Sequence, residues 1–165
     1  IEADNPMLTC RINGLENQSP IRVILDTHGR LASSSAIATS ADTVPVWRYR
    51  NASRPPLLTP PKVDDIPSQI GPDGRLMISG IISDLVDRGI TRLLVEAGPK
   101  LTTAFLKSGY VDRIHWYRSS GLMGEDGKAV INSLEIERLA DLKKFYRLET
   151  LPLGPDNLEI YTRLC

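Results

Sequence analysis

Hydrophobic and polar positions alternate between two periods along this chain. Ile21-Arg22-Val23-Ile24-Leu25 is rich in β-branched and apolar residues and is closed by Asp26-Thr27-His28-Gly29, which predicts a buried strand ending in a turn. Val44-Pro45-Val46-Trp47-Arg48-Tyr49 predicts a second strand, with Pro45 near its start or on an edge. From Arg54 to Pro72 the repeated prolines predict an extended surface connection around a short strand at best. The period then becomes helical: Ile81, Ile82, Leu85 and Val86 share a face, with Ser79 as N-cap and Gly89 as C-cap. Arg92-Leu93-Leu94-Val95-Glu96 predicts a buried strand, followed through Ala97-Gly98-Pro99 by a helix from about Lys100 to Ser108, with Leu101, Ala104 and Phe105 inward and Gly109 closing it. Arg113-Ile114-His115-Trp116-Tyr117 is the next strand, so 92–117 reads as a βαβ unit with parallel strands and a right-handed crossover. Phe145–Leu151 and Leu158–Arg163 predict a closing antiparallel pair joined through Leu153–Asn157. The expected class is α/β: one mixed, mostly parallel sheet with flanking helices in three layers, in a single domain over residues 1–165.

Length and composition narrow the class of function. A chain of 165 residues is the size of one ordinary domain. Twenty basic residues balance twenty acidic ones with no long run of either sign, so charge lends no support to nucleic-acid or membrane-surface binding. No apolar run approaches the ~18–20 residues of a membrane span. Cys10 and Cys165 form no Cys-x-x-Cys pattern, which favours reduced thiols and a cytoplasmic setting. With only His28 and His115 in the chain, no metal-ligand cluster assembles from spacing, and no metal is expected. The chain opens at Ile1-Glu2-Ala3-Asp4 without an initiator Met, as though it begins inside something larger.

The stretch Leu94-Val95-Glu96-Ala97-Gly98-Pro99-Lys100-Leu101 carries the most chemistry. A strand passing through small residues into a helix start aims free backbone N–H groups outward, which suits an anion. Pro99 at the first helical position loses no hydrogen bond, and Lys100 adds positive charge where a pyrophosphate would lie. Glu96 sits at the carboxyl end of the strand, where open α/β sheets place ligand contacts. On pattern alone the competing reading, a tight strand-to-helix turn with Glu96 at its solvated edge, is favoured, because short glycine motifs recur by chance. No G-x-G-x-x-G fingerprint is present.

Four segments, in order, resemble the reductase domain of bifunctional riboflavin-biosynthesis deaminase/reductases. Val95–Leu101, continued by Ala104-Phe105-Leu106 and Gly109-Tyr110-Val111-Asp112, is similar to that family's nucleotide-binding region. Ala3-Asp4-Asn5-Pro6-Met7-Leu8-Thr9-Cys10-Arg11 resembles its Ala-Asp-(Asp/Asn)-Pro-x-Leu-Thr-x-Arg run, and Pro20–Arg30 its Arg-Val-x-Leu-Asp-(Ser/Thr)-x-x-Arg strand. Gly121-Leu122-Met123-Gly124 resembles its Lys-Leu-Leu-Gly loop, with Gly121 in place of Lys. The resemblance implies a dihydrofolate-reductase-like fold, NADPH as cofactor and a homodimer. It also implies roles. Gly98, Pro99, Lys100, Leu101, Thr102, Thr103 and Ala104 would line the cofactor, Asp4 would lie beside it, and Thr27 would meet its adenosine end. Leu8, Arg11 and Glu96 would contact the substrate. Arg11 offers a planar fork of donors for a ribose phosphate, and Arg30 suits the 2′-phosphate that separates NADPH from NADH. Without the resemblance, Arg11 reads as a surface ion pair and Thr27 and Arg30 as an ordinary turn.

The implied reaction reduces the ribosyl side chain of 5-amino-6-(5-phosphoribosylamino)uracil to the ribityl chain. The opened sugar must take a proton as it takes hydride, and Asp4 is the candidate for organising it. A cofactor hydrogen bond or a turn cap explains Asp4 equally well. His28 reads as a turn residue, His115 as a structural strand residue, and Trp47 and Trp116 as sheet packing. Two competing functions stay open: a related reductase acting on the still-aminated diaminopyrimidine or a pteridine, and a non-catalytic interaction module of the same fold. By analogy with dihydrofolate reductase, the Ala97–Gly98 bond is a candidate cis peptide. Family members carry a zinc deaminase domain ahead of this one, and the reductase domain begins with a strand and helix upstream of Ile1. The domain is therefore expected to be N-terminally incomplete, with a strand-wide gap near the carboxyl ends of Ile21–Leu25 and Arg92–Glu96.

Overall fold

The apolar run after Pro20 is the first strand, β1 (Arg22–Leu25), of a computed structural model that describes residues 4–55 and 61–164. The described residues fall into two units, one running to Ile90 and the other from Thr91. In the first unit β1 is followed by α1 (Ala36–Thr39), β2 (Val46–Asn51), β3 (Val63–Ser68) and α2 (Ile78–Asp87). The strands lie in the order β1-β2-β3 and all pairs are parallel, with Arg22 opposite Val46 and Val46 opposite Val63. A parallel sheet needs cover on both faces, and this one has it. Ile24, Val46 and Val63 pack with Ile37 and Ala38 of α1 on one side. Tyr49 and Ile66 pack with Leu76 and with Ile81 and Leu85 of α2 on the other.

Three boundaries differ from the sequence reading. The α2 N-cap is Met77, so Ser79 lies inside the helix, and Val86 turns outward because only the Ile81–Leu85 pair faces the sheet. Gly89 does follow the helix, at φ +83°. The proline-rich connection contains a full six-residue strand, β3, because at a sheet edge Pro67 forfeits no ladder bond. The four-residue α1 has no readable period; Ser35 caps it through the Ala38 N–H.

The second unit holds α3 (Pro99–Ser108), β4 (Arg113–Arg118), β5 (Phe145–Leu153) and β6 (Asp156–Arg163). Its sheet is antiparallel in the order β4-β6-β5, with β5 and β6 joined through Gly154 at φ +63°. Pro99 opens α3 and Gly109, in the left-handed conformation, closes it. The inward residues of α3 are Thr103, Phe105 and Leu106. Arg92–Glu96 is not a strand: it joins no ladder, and Leu94 is 78% exposed. The expected parallel pairing with Arg113–Tyr117 is not formed among the described residues, where β4 pairs with β6, antiparallel. Apolar, β-branched composition favours an extended chain, but a strand exists only where a neighbour takes its N–H and C=O groups. Ladders among the described residues form a three-stranded sheet within each unit. The Ala97–Gly98 bond is trans, contrary to the dihydrofolate-reductase analogy. No described helix is long and apolar enough to cross a membrane.

Candidate cofactor and substrate site

At the carboxyl ends of β1 and β2 a small cleft is lined by Thr27, His28, Gly29, Arg48, Arg50, Asn51 and Arg54. Its floor is organised by Asp26, the buried residue that follows β1. One carboxylate oxygen accepts from the Arg30 N–H at 2.8 Å and the other from the Leu31 N–H at 2.9 Å, which folds 27–31 back over the strand end. Gly29, at φ +68°, permits that reversal. Arg48 and Arg50 share a face of β2, and both bind Asp65 of β3: Arg48 Nη2 at 2.8 Å and Arg50 Nε at 2.5 Å. Arg48 is 1% exposed and also lies 3.9 Å from Asp26. Arg54 is exposed, and Arg50 donates to its carbonyl at 2.9 Å. The cleft therefore gathers guanidinium charge beside a hydroxyl at a strand end.

The segment carrying Asp4, Leu8 and Arg11 belongs to the same unit. Asp4 and Arg11 are exposed, while Leu8 is half-buried against the α1-side core. Thr27 and Arg30 share the loop after β1.

Glu96 and Gly98 to Ala104 all lie in the second unit. Gly98 is the N-cap of α3 and uses no side chain to satisfy the helix start. The Leu101 and Thr102 N–H groups donate to the Gly98 carbonyl at 3.2 and 3.1 Å. A Cβ built on Gly98 would meet nothing within 4 Å, so its backbone faces open space and a ligand can approach it closely. Glu96, Gly98 and Lys100 are exposed, Leu101 and Ala104 are partly covered, and the Thr102 hydroxyl donates to the Ala97 carbonyl. Thr103 is different. It is buried, donates to the Pro99 carbonyl at 2.7 Å and accepts from the Asn132 N–H at 2.8 Å, so its hydroxyl is used within the unit.

A larger cavity of about 270 Å³ involves Tyr49, Ile66, Ser68, Met77, Ser79 and Asp84 and contains none of the candidate cofactor or substrate residues. Volume and chemistry thus point to different places, and the charged cleft and the open helix start carry the recognition chemistry.

Residues 1–156 match the family model described as the RibD C-terminal domain. The chain belongs to that family. It is 27% identical to the riboflavin biosynthesis protein RibD of Bacillus amyloliquefaciens, over 94% of this chain and 42% of that protein. With RibD of Escherichia coli it shares 28% identity over 93% of this chain and 44% of that protein. The chain thus spans less than half the length of these relatives. Among solved structures, RibD of Acinetobacter baumannii superposes with a TM-score of 0.81 at 25% identity, covering 99% of this chain and 44% of that one. The fold is that of RibD reductase domains, a dihydrofolate-reductase-like α/β fold.

Within this RibD C-terminal domain, the sequence reading missed Asp26, Arg48, Arg50, Asp65 and Arg54. A signal was present: Arg48 and Arg50 alternate with Trp47 and Tyr49 inside a strand otherwise fit for burial, and charges placed there need partners. Asp65 as that partner required the β2–β3 register.

Proposed function

We propose that this domain reduces the ribosyl side chain of 5-amino-6-(5-phosphoribosylamino)uracil to the ribityl form, with NADPH as reductant, as a cytoplasmic homodimer. The open backbone at Gly98, at the start of a helix within a RibD C-terminal domain, is the observation that carries this reading. The residues present have the chemistry for phosphate groups: the Gly98–Lys100 helix start of the second unit suits a pyrophosphate, and the guanidinium-lined Thr27–Arg54 cleft of the first suits a phosphate. When bound, the cofactor supplies hydride to the anomeric carbon of the opened sugar.

The chain's own residues bind and orient. Gly98, Pro99, Lys100, Leu101, Thr102 and Ala104 form the cofactor side, with Thr103 packed beneath them, Thr27, Arg30 and Arg54 its adenosine side, and Leu8, Arg11 and Glu96 the substrate side. Asp4 stands beside the cofactor and orders the proton that the sugar takes with the hydride. A second substrate is favoured by one relative, the 2,5-diamino-6-ribosylamino-4(3H)-pyrimidinone 5′-phosphate reductase of Methanothermobacter thermautotrophicus, which is 24% identical over 97% of this chain and 74% of that protein.

Turnover of the aminated and deaminated pyrimidine phosphates with NADPH and with NADH tests the proposal. Faster reduction of the deaminated compound with NADPH supports it; no reduction of either compound rejects it in favour of a non-catalytic module. Arg54→Ala is expected to weaken NADPH binding by roughly the 1.5–3 kcal/mol of a charge-assisted hydrogen bond while sparing NADH. Equal losses for both cofactors would remove Arg54 from the 2′-phosphate.

A further inference from the structure

We infer that Asn5 and Arg22 are positioning residues for the reduction, holding the segment Asp4–Arg11 in the one backbone conformation from which Leu8 and Arg11 meet the phosphorylated pyrimidine. The inference rests on the function proposed above.

Two residues of this segment lie in the left-handed region, Asn5 at φ +41° and Leu8 at φ +52°. Asparagine tolerates that region, but a leucine there clashes with its own backbone, and a free loop would relax away from it. Such a conformation persists only where its surroundings over-determine it, and strain of this kind gathers at ligand-binding positions. The clamps are visible on both sides of the strained residues. Asn5 Oδ1 accepts from the Ala36 N–H, the first of α1, at 2.8 Å. Arg22 Nη1 donates to the Met7 carbonyl at 2.9 Å. Beyond Leu8, the Cys10 N–H donates to Ser19 Oγ at 3.0 Å. The Leu8 side chain itself rests on the α1-side core.

Arg22 is itself firmly held. It is 2% exposed, and its guanidinium is fixed by Ser40 Oγ at 2.7 Å, the Ser40 carbonyl at 3.0 Å and the Val44 carbonyl. Its Nε is buried with no hydrogen-bond partner, while its other nitrogens satisfy the carbonyls of Met7, Ser40 and Val44. As packing, Arg22 is a poor choice. As a rigid bracket carrying the Met7 carbonyl, it is a good one, because a planar fork transmits the position of β1 and α1 to the loop without rotamer freedom. With positions 5, 7, 8 and 10 pinned, the side chains of Asp4 and Arg11 stay exposed.

The test compares Asn5→Ala, Asn5→Asp and Arg22→Met with Tyr49→Phe in the full-length protein. Tyr49 lies on the opposite face of the sheet and controls for lost stability. Asn5→Ala and Arg22→Met are expected to raise KM for the phosphorylated pyrimidine by roughly tenfold or more. Amide exchange over residues 4–11 should accelerate in both. Asn5→Asp keeps the acceptor for the Ala36 N–H and should restore the wild-type KM. The inference is overturned if KM moves no further than in Tyr49→Phe at equal thermal stability, or if Asn5→Asp behaves like Asn5→Ala. A wild-type protein that reduces neither pyrimidine phosphate rejects the proposed function instead. Exchange over 4–11 then decides the clamp alone: acceleration in Asn5→Ala sustains it and unchanged exchange overturns it.

Discussion

Gly98 separates binding from folding more cleanly than any other residue of the site. Its φ of −71° is open to alanine, and nothing stands within 4 Å of the added methyl. Losing glycine at a helix N-cap costs several tenths of a kcal/mol, whereas a less flexible unfolded chain returns about 0.4–1 kcal/mol. Gly98→Ala should therefore leave the thermal midpoint nearly unchanged, so a large rise in the NADPH dissociation constant would report a cofactor in the space the methyl takes. Unaltered affinity would mean that the helix start is merely a turn. Lys100, exposed two residues further on, gives the complementary test. Lys100→Ala should weaken NADPH by roughly 1.5–3 kcal/mol without destabilising the domain.

At the scale of elements, the sheet of the first unit is tied on one face by ions and on the other by a hydrogen-bonded helix. Asp65 pairs with both Arg48 and Arg50 across the β2–β3 register, so Asp65→Ala leaves a guanidinium that is 1% exposed short of its nearest carboxylate. Breaking a buried pair from one side costs about 3–5 kcal/mol, and denaturant unfolding should show a loss near the lower end because Asp65 is 14% exposed. On the other face Tyr49 donates to Asp84 of α2 at 2.5 Å, and Arg88 donates to the same oxygen at 2.6 Å while stacking over Trp47. The Arg88 hydrogen bond, with help from the Tyr49 hydroxyl, holds the Asp84 carboxyl below the usual carboxylate range, while burial, and then Asp84 itself, pushes the Tyr49 phenol up. The signs differ. A depressed carboxyl contributes stability above its unfolded value, about 4, and loses it as pH falls through the folded value. A raised phenol contributes stability below its unfolded value, about 10, and loses it as pH rises beyond that. Unfolding free energy should thus decline at both ends of the pH range. Tyr49→Phe should cost roughly 1 kcal/mol at neutral pH and remove the phenol's contribution to the alkaline decline. A variant with the same alkaline slope as wild type would place that decline elsewhere.

For the whole molecule, protection should follow the ladders. β2 and β6 are the middle strands of their sheets, bonded on both sides, whereas Arg92–Glu96 joins neither. Native-state amide exchange is expected to be slowest in β2 and β6 and close to free over 92–96, since opening free energy tracks paired backbone and buried apolar contacts. Slow exchange over 92–96 in the full-length protein would show that this apolar segment has ladder partners beyond those described here. Sedimentation velocity on the same protein tests the homodimer: a single monomeric boundary at micromolar concentration would reject it.

The sequence by itself determined what depends on neighbours along the chain. The apolar run of β1, the Ile81–Leu85 face of α2, the Pro99 start and Gly109 stop of α3, and the Gly154 turn between β5 and β6 all follow from local period and backbone restriction. The ordered motifs at Ala3–Arg11, Pro20–Arg30, Val95–Leu101 and Gly121–Gly124 led to the right family for the same reason, since each is a short stretch read from neighbours along the chain. Only the tertiary structure decided what depends on partners far apart in the chain. Leu93, Leu94 and Val95 have strand composition, yet no described neighbour pairs with them. The prolines of 55–72 suggest a loop, yet the open side of β2 makes β3 of their middle. Arg22, a charge in an apolar strand, becomes intelligible once the carbonyls of Met7, Ser40 and Val44 surround it. Propensity is a property of a residue, but pairing and desolvation are properties of two groups that meet, and only the fold brings them together.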